Sequence, residues 1–244
     1  MKSFPFLLVI MGFVKEALDR FFYPKVCCCC EENLENEKSK ICLQCLSELP
    51  YTQFEKTSEP TLIHEQLGTQ LPIEKATSLL YFKSGSPIQN AFHHFKYRGV
   101  KDLSFELGAL WGQKLQAQNW LDDIDFIIPI PLHPLKLKIR TYNQSEWIAK
   151  GIQSVYPTDL DLTTLYRKTH NVTQTKLNNE ERWENIATAF GIDLVAKETL
   201  AGKHLLILDD MLTTGATLVS AGKTLLEIPD IRLSVATLGI ASQV

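Results

Sequence analysis

The sequence lacks three features that would assign it to particular classes of protein. No apolar run approaches the roughly 18 to 20 residues that span a bilayer, so no transmembrane helix is predicted. The net charge of −3 and the pI of about 6.1 give no overall positive field, and they leave only a local basic patch as a route to nucleic-acid binding. No cysteine occurs in residues 46–244, which argues against the disulfide framework of an exported protein.

The chain has 244 residues, 45% of them apolar, which suffices for one substantial domain and a smaller appendage. The apolar stretch at residues 4–11 resembles a signal peptide, but no small-residue cleavage site follows it. The apolar spacing continues instead, and it predicts an amphipathic helix at residues 12–22. Met11 is an alternative start position. We expect a cytoplasmic protein.

The most informative stretch runs from His204 to Leu218. Four large apolar residues, 205–208, predict a strand buried on both faces, as in a parallel sheet, and Asp209 and Asp210 follow at its carboxyl end. Ligands of open α/β sheets bind at that edge. The loop at residues 213–217 and the helix after it offer hydroxyls and N–H groups to a phosphate. The acids would repel that phosphate, so they are better suited to bind ribose hydroxyls or a divalent cation.

This segment resembles the phosphoribosyl pyrophosphate (PRPP) motif of type I phosphoribosyltransferases, in which two acids and Thr-Thr-Gly-x-Thr follow an apolar run. A plainer interpretation is an ordinary strand, turn and helix, with Thr213 or Thr214 as the N-cap. The candidate residues around the 5′-phosphate of PRPP are Thr213, Thr214, Gly215, Ala216 and Thr217.

All six cysteines lie between positions 27 and 45. Two C-x2-C pairs separated by eleven residues fit a closed, structural zinc site. We assign Cys27, Cys30, Cys42 and Cys45 as zinc ligands. The spacing alone leaves open a register that uses one of the two intervening cysteines, residues 28 and 29.

Two other chemistries compete with zinc at the cysteine cluster: a pair of disulfides and an iron–sulfur cluster. If zinc binds, its plainer role is to stabilise the N-terminal segment. A more specific role would be to bind a partner protein or the acceptor substrate.

Three further polar segments are candidates for binding the pyrophosphate group. Residues 92–99 include Lys96 and cluster cations with aromatic rings, although such a cluster is more often a solvated helix end. Residues 128–144 form a proline-rich loop followed by Arg140, which would present backbone amides and cations or act as a rigid connection. Residues 167–185 have little core-forming pattern, which is typical of a lid that excludes water.

The order of elements predicts an α/β fold. Strands alternate with helices, which indicates a parallel sheet with helices on both faces. The predicted strands are residues 77–83, 126–131, 160–166, 205–208 and 234–238. We divide the chain into an N-terminal helix and four-cysteine zinc module at 1–50, a linker at 51–75 and a phosphoribosyltransferase-like domain at 76–244.

The chain also resembles the ComF family of competence-associated proteins, which pair an N-terminal zinc module with a type I phosphoribosyltransferase domain. The resemblance covers roughly residues 21–244 and rests on the cysteines and on four segments, which are 96–99, 129–144, 167–185 and 205–217. Thr141 stands where the family usually has glycine, and Asn171 where it often has threonine. Neither change removes a cation or a carboxylate, so the departures concern loop geometry.

The resemblance implies transfer of ribose 5-phosphate from Mg²⁺-bound PRPP to an unknown acceptor, with release of pyrophosphate. Asp209, Asp210, Arg140 and Arg167 would be catalytic. Lys96, Pro131, Leu132 and His133 would join the 213–217 loop in binding PRPP. The alternative is a non-enzymatic PRPP- or nucleotide-binding module that acts in competence. In either case, competence DNA-uptake proteins or single-stranded DNA would be partners.

Overall fold

A computed structural model describes residues 25–36, 38–168 and 189–241. The predicted helix at 12–22, the question of Met11 and most of the 167–185 segment lie outside the described residues. In the described ranges, no helix has the length and apolar character needed to cross a membrane.

The described chain alternates helices and strands. The helices are α1 Leu43–Ser47, α2 Leu62–Leu67, α3 Pro87–Tyr97, α4 Lys101–Gln116, α5 Pro134–Arg140, α6 Gln144–Val155, α7 Leu194–Leu200 and α8 Ala216–Leu225, with a 3-10 turn at Phe54–Lys56. The strands are β1 Ala76–Phe82, β2 Phe126–Pro129, β3 Asp159–Leu160, β4 Leu165–Arg167, β5 Phe190–Ile192, β6 His204–Leu212 and β7 Arg232–Ala241.

Five strands form one parallel sheet in the order β1-β7-β6-β2-β3, which confirms the predicted α/β class. Strand β6 lies at the centre and pairs with β7 on one side and β2 on the other. All carboxyl ends of parallel strands meet at one edge, so the end of β6 lies beside those of β2 and β7. The short strands β4 and β5 pair separately and antiparallel.

Apolar residues of the central strand point alternately to two cores. Leu206 and Leu208 pack into a core with helices α3, α4 and α6, whereas Leu205 and Ile207 pack into a second core with α2 and α8. Successive side chains of a strand face opposite sides of the sheet, so the uninterrupted apolar run follows from burial on both faces. Helices therefore cover both faces, as the sequence predicted.

Helices α4 and α6 approach each other closely because glycines lie between them. A Cβ atom at Gly108 would lie 2.2 Å from the carbonyl oxygen of Ile148, and one at Gly151 would lie 2.2 Å from that of Phe105. Any side chain at these positions would collide with backbone. This close packing places the start of α6 against the carboxyl edge of the sheet, beside the end of β6.

Three local predictions are wrong. The strand predicted at 160–166 is two strands, β3 and β4, because Asp161 accepts hydrogen bonds from the backbone N–H groups of Thr163 and Thr164 and turns the chain. The proline-rich loop contains helix α5, with its proline at the first helical position, where no N–H is needed. Ser104, whose position before the helical apolar spacing at 107–115 suggested a helix cap, is instead buried within α4, which begins three residues earlier.

The segment predicted as a linker, 51–75, is packed against the domain. Helix α2 has Ile63 and Leu67 fully buried, and Leu71 after it is 2% exposed. The polar residues that suggested a linker lie around this short amphipathic helix. The three-part division of the chain stays a prediction.

Candidate functional site

The two acids of the apolar-strand motif lie where β6 reaches the carboxyl edge of the sheet. Asp209 Oδ1 accepts hydrogen bonds from Ser145 Oγ at 3.1 Å and from the backbone N–H of Asp210 at 2.8 Å. Both interactions use the same oxygen. Ser145 lies in the first turn of α6, so this helix fixes the orientation of the Asp209 carboxyl.

Two cations from different helices contact Asp210. Lys96 Nζ, at the end of α3, is 3.2 Å from Asp210 Oδ2, and Arg140 NH1, at the end of α5, is 3.9 Å from the same oxygen. The side chains of Lys96, Arg140 and Asp210 are 19%, 13% and 13% exposed, so solvent screens these ion pairs less than surface pairs. The structure thus brings together three residues that lie far apart in sequence.

Two further cations extend this cluster. Burial, followed by the charges of Arg140 and Arg167, lowers the pKa of Lys136, whereas Asp210 and Asp209 act in the opposite direction. Burial also lowers the pKa of Arg167, which stacks over the ring of Phe190 at 5.0 Å. Cations that are held close together repel one another, and a bound polyanion would relieve this repulsion.

Hydrogen bonds to one carbonyl group hold α3 against α6. The Tyr142 hydroxyl and the Gln144 side-chain amide, the latter at 3.2 Å, both donate to the carbonyl oxygen of Phe95. Gln144 also accepts a hydrogen bond from Arg140 NH1 at 3.0 Å. These contacts fix the residue before Lys96 and the guanidinium of Arg140, so the cations are held in place before any ligand binds.

The loop that follows the acids ends at the amino terminus of α8. Gly215 is the N-cap, with φ of +78°, and it makes no side-chain capping bond. A Cβ atom there would lie 2.2 Å from Leu67 Cδ2, so both the conformation and the space require glycine. The Gln66 side chain donates to the Thr213 carbonyl, and Ala216 N lies 3.5 Å from Thr214 Oγ1. Gly215 therefore occupies the N-cap position, while the Thr214 hydroxyl accepts a hydrogen bond from the first N–H group of the helix.

A helix that begins at a glycine leaves its first N–H groups without side-chain acceptors from the cap, which suits a phosphate. Helix α8 spans ten residues, Ala216–Leu225, and Thr217 in its first turn is partly exposed. Thr213 and Thr214 are exposed. The loop therefore presents its hydroxyls at the same edge as the acids.

The proline-rich connection places its residues around α5. Pro131, Leu132 and His133 are partly exposed, and His133 Nδ1 accepts from the backbone N–H of Leu135 at 3.2 Å as the helix cap. The sequence did not predict this capping role. Asn143 Nδ2 donates to the carbonyl of Ile130 at 3.0 Å, which ties the connection to the start of α6.

The two adjacent acids differ in their environment. Burial of the carboxyl, followed by the charge of Asp210, raises the pKa of Asp209 to about 7. The hydrogen bonds from Ser145 and from the backbone N–H of Asp210, and the charge of Lys96, act against this shift. Asp210 is the acid that contacts the cations directly, while Asp209 is poised between its two charge states near neutral pH.

The four cysteines predicted as ligands come together. One Sγ atom from each of Cys27, Cys30, Cys42 and Cys45 lies within 4.8 Å of the others, so the group could hold a metal ion. The backbone N–H groups of Cys29 and Cys42 donate to Cys27 Sγ at 3.4 and 3.3 Å. Burial opposes ionisation of Cys27, but such backbone hydrogen bonds outweigh it and lower its pKa to about 7, whereas burial raises the pKa of Cys45 in the same group.

The two intervening cysteines behave differently. Cys28 and Cys29 are buried in the same core as Leu49 and Ile88. Burial, followed by the charge of Cys27, raises their pKa to about 11 and 12. They are core residues, and no disulfide joins any two of the six cysteines, in contrast to the disulfide alternative.

Sequence reasoning missed Ser145. Ser145 follows Asn143, whose side chain accepts from the Ser145 backbone N–H at 3.2 Å and caps α6. An Asn cap followed by a buried serine was the available signal, but no pattern linked it to an acid 64 positions later.

The parallel sheet, the acids at its carboxyl edge and the glycine-capped helix beside them define an α/β protein whose candidate site lies at the carboxyl edge of the sheet. The four-cysteine group precedes this unit in the chain.

Two known proteins are similar to parts of this chain. The chain is 26% identical over 143 residues to the DNA utilization protein YhgH of Salmonella typhimurium, covering 57% of this chain and 61% of that protein. It is 31% identical over 103 residues to competence protein F of Haemophilus influenzae, covering 41% of this chain and 43% of that protein. No family model matches the chain. The chain is therefore similar to these proteins over part of its length, and it spans about three fifths or less of the length of these relatives.

Two solved structures overlap with parts of the chain. The allosteric regulatory enzyme of purine biosynthesis covers 59% of this chain at 14% identity with a TM-score of 0.38. A hypoxanthine phosphoribosyltransferase from Staphylococcus aureus covers 64% of this chain at 17% identity with a TM-score of 0.31.

Proposed function

We propose that the protein binds PRPP at the carboxyl edge of its sheet and transfers ribose 5-phosphate to a nucleophilic acceptor. The observation that carries the proposal is the position of Asp209 and Asp210 between a cation cluster and a glycine-capped helix. A ligand that fills this arrangement needs a phosphate, vicinal hydroxyls and a second, highly charged group. PRPP has these three parts in that order.

The 5′-phosphate would bind at the amino terminus of α8, where residues 213–217 offer hydroxyls and N–H groups. The ribose hydroxyls would donate to Asp209 and Asp210. Asp209 Oδ1 already accepts two hydrogen bonds, which leaves Oδ2 to face the sugar.

The pyrophosphate group would lie among Lys96, Lys136, Arg140 and Arg167. Because Lys96 and Arg140 contact Asp210 in the free protein, a pyrophosphate would draw both cations away from the acid. In the reaction the bond from ribose C1 to a pyrophosphate oxygen breaks, and a bond from C1 to the acceptor forms. The cations would stabilise the negative charge that develops on the leaving oxygen, which is the kind of electrostatic contribution that usually dominates catalysis.

Magnesium enters this proposal only as the ion that PRPP carries. When bound, it would neutralise part of the pyrophosphate charge. Asp209 and Asp210 offer the carboxylate oxygens that Mg²⁺ prefers.

Calorimetry with PRPP and Mg²⁺ tests the binding site. The double variant Asp209→Asn, Asp210→Asn should bind PRPP at least about tenfold more weakly, since a charge-assisted hydrogen bond contributes roughly 1.5–3 kcal/mol. Glu146→Gln is the matched control, because it removes a carboxylate of α6 that pairs with Lys150 outside the site. Unchanged affinity in the double variant would contradict the assignment.

Release of pyrophosphate tests the transfer step. The full chain is incubated with PRPP, Mg²⁺ and a panel of bases, amines and nucleotides, and pyrophosphate is measured. Acceptor-dependent release that Arg140→Gln lowers by about tenfold or more would support an enzyme. Binding of PRPP without release on any acceptor would instead favour the non-enzymatic module.

The names of the relatives favour a role in DNA uptake or utilization, either for the enzyme or for the non-enzymatic module. Single-stranded DNA or competence proteins would be the partners in that role. Competition between PRPP and single-stranded oligonucleotides in a fluorescence binding assay tests whether DNA uses the same site. The 129–140 cations would serve both ligands only if the two compete.

We also propose that the four-cysteine group holds zinc in a structural site. Four thiolates without an open position are the ligand set of structural zinc. Elemental analysis of the purified chain should give at least one zinc per chain. Cys42→Ser should remove that zinc, whereas Cys28→Ala should keep it, and iron with a visible absorption band would contradict the proposal.

A further inference from the structure

The amino edge of the sheet carries a second cluster of candidate metal ligands, made of Glu74, Asp123 and His204. One ligand atom from each lies within 4.8 Å of the others. His204 begins strand β6, and Asp209 and Asp210 lie near its end, so the cluster is separated from the proposed PRPP site by the buried part of the strand. No step of the proposed function uses it.

The imidazole of His204 is oriented toward this cluster. His204 is fully buried, and its Nε2 lies 2.8 Å from Ser234 Oγ, which fixes the ring as a partner of a metal-binding histidine would. Nδ1 forms no side-chain hydrogen bond of good geometry among the described residues, although Asp123 Oδ2 lies 3.2 Å away, and Glu74 Oε2 lies 3.6 Å from Nε2 on the other side of the ring. The Asp123 oxygen is close enough but lies off the N–H direction.

A metal ion would account for this geometry. Zinc binds nitrogen and oxygen ligands at about 2.0–2.2 Å in a tetrahedron, so two of its ligand atoms lie about 3.3 Å apart. The separation of 3.2 Å between His204 Nδ1 and Asp123 Oδ2 fits that spacing. An ion on the lone pair of Nδ1 can bind the off-axis carboxylate oxygen that an N–H group fails to reach.

Backbone hydrogen bonds hold the loops that carry the two acids. Asp125 Oδ2 accepts from the backbone N–H of His204 at 2.8 Å, and Asp125 N donates to the His204 carbonyl at 2.9 Å. Glu74 N donates to the Leu233 carbonyl at 2.8 Å. Both loops are therefore anchored to the strands beside the histidine, as a preorganised ligand set requires.

Two cations neighbour the cluster and affect it differently. Lys75 Nζ contacts Asp123 Oδ1 and, at 3.1 Å, the Trp120 carbonyl, so it leaves Oδ2 available. Arg232 NH1 lies 3.3 Å from Glu74 Oε2 and 3.8 Å from Asp123 Oδ2, where it competes with an ion for the same oxygens. The Arg232 side chain is 48% exposed, so it can move into solvent when an ion binds.

We propose that Glu74, Asp123 and His204 form a second zinc site, in which one imidazole nitrogen, two carboxylates and a water molecule complete a tetrahedron. The site joins the loops before β1 and β2 to the first residue of β6. Its ligand set is harder than the four-cysteine group, so it binds zinc more weakly and exchanges it more readily.

The test is calorimetric titration of zinc into the full chain whose four-cysteine group is already loaded and whose weakly bound metal has been removed with a mild chelator. We expect one further equivalent of zinc. Asp123→Asn and Glu74→Gln should each weaken this binding at least tenfold, whereas Glu227→Gln, which changes an exposed acid before β7, should leave it unchanged.

The variant Arg232→Gln should bind the second zinc more tightly, and a misfolded protein would not show such a gain in affinity. Removal of the competing guanidinium should tighten the second equivalent several-fold. Absence of a second equivalent in both the wild type and Arg232→Gln would overturn the proposal. So would a second equivalent that persists unchanged in Asp123→Asn and Glu74→Gln, because zinc would then bind elsewhere.

Discussion

Aspartate side chains lie at both ends of strand β6, and their pKa values are shifted in opposite directions. At the amino end, the backbone N–H of His204 lowers the pKa of Asp125, and Lys75 lowers that of Asp123 although burial opposes it. At the carboxyl end, burial raises the pKa of Asp209 to about 7. Acids at the first end stabilise the fold, while Asp209 at the second costs stability when it is charged. That cost is expected of a site arranged for a ligand.

The largest change in stability is expected for the variant Asp209→Asn. The folded pKa near 7 lies above the unfolded value of about 3.9, so wild-type stability falls as pH rises from about 4 to 7. Asparagine imitates the protonated acid at every pH. The variant should match the wild type at pH 4 and exceed it by on the order of 2 kcal/mol at pH 8 in urea unfolding. Equal stability at both pH values would break the comparison.

The two edges also differ in backbone strain. Left-handed positions at the amino edge are Asn119, Gly202 and Asp230, which tolerate that conformation, whereas Thr141 at the carboxyl edge has φ of +67°. Thr141→Gly should therefore stabilise the fold by about 0.5–1 kcal/mol in thermal or urea unfolding. Thr141→Ala keeps a Cβ atom and should recover little of this. If Thr141→Ala stabilised the fold as much as Thr141→Gly, the destabilising group would be the rest of the threonine side chain and the left-handed backbone would not be strained.

At the amino end, replacing Asp123 should lower the stability of the fold, by less than the gain expected for Asp209→Asn. The folded pKa of Asp123 is lowered, so its contribution is present above the unfolded pKa of about 3.9 and is lost as pH falls below it. Asp123→Asn, measured in chelator, should lose about 0.5–1 kcal/mol at pH 7, because the side chain is 39% exposed and solvent screens the pair. The loss should shrink progressively as pH falls below the unfolded value. A variant that is more stable at pH 7 would contradict the assigned role.

The smallest effect is expected at Ser145. Its hydroxyl donates to Asp209 and lowers the pKa of that acid, so Ser145→Ala should raise the midpoint of the Asp209 titration by a few tenths of a unit. Carbon NMR of the carboxyl group measures this shift. Glu146→Gln, one residue along, should leave the midpoint in place.

The sequence predicted the parts that depend on local pattern. The uninterrupted run at 205–208 indicated the central strand, and the alternation of elements indicated the parallel sheet, from which the position of Asp209 and Asp210 at the carboxyl edge follows. The C-x2-C pairs identified the four cysteines that come together. The catalytic and binding roles of the site residues stay predictions.

What the sequence did not provide depends on tertiary contacts or on position-dependent chemistry. Pro134 was predicted as part of a loop, although proline at the first helical position starts a helix. Ser145 meets Asp209, and His204 meets Asp123, only because the sheet brings distant segments together. No spacing in the chain marks either pair.

The shared core of the cysteine module has a consequence for protein engineering. Cys28 and Cys29 lie in one core with residues of α3 and α4, and Asn90 of α3 donates to the Cys29 carbonyl at 3.0 Å. Removal of residues up to position 50 would expose apolar side chains of α3, the helix that ends at Tyr97 and carries Lys96. Fusions and shortened versions designed from this chain should therefore keep module and sheet as one inseparable unit.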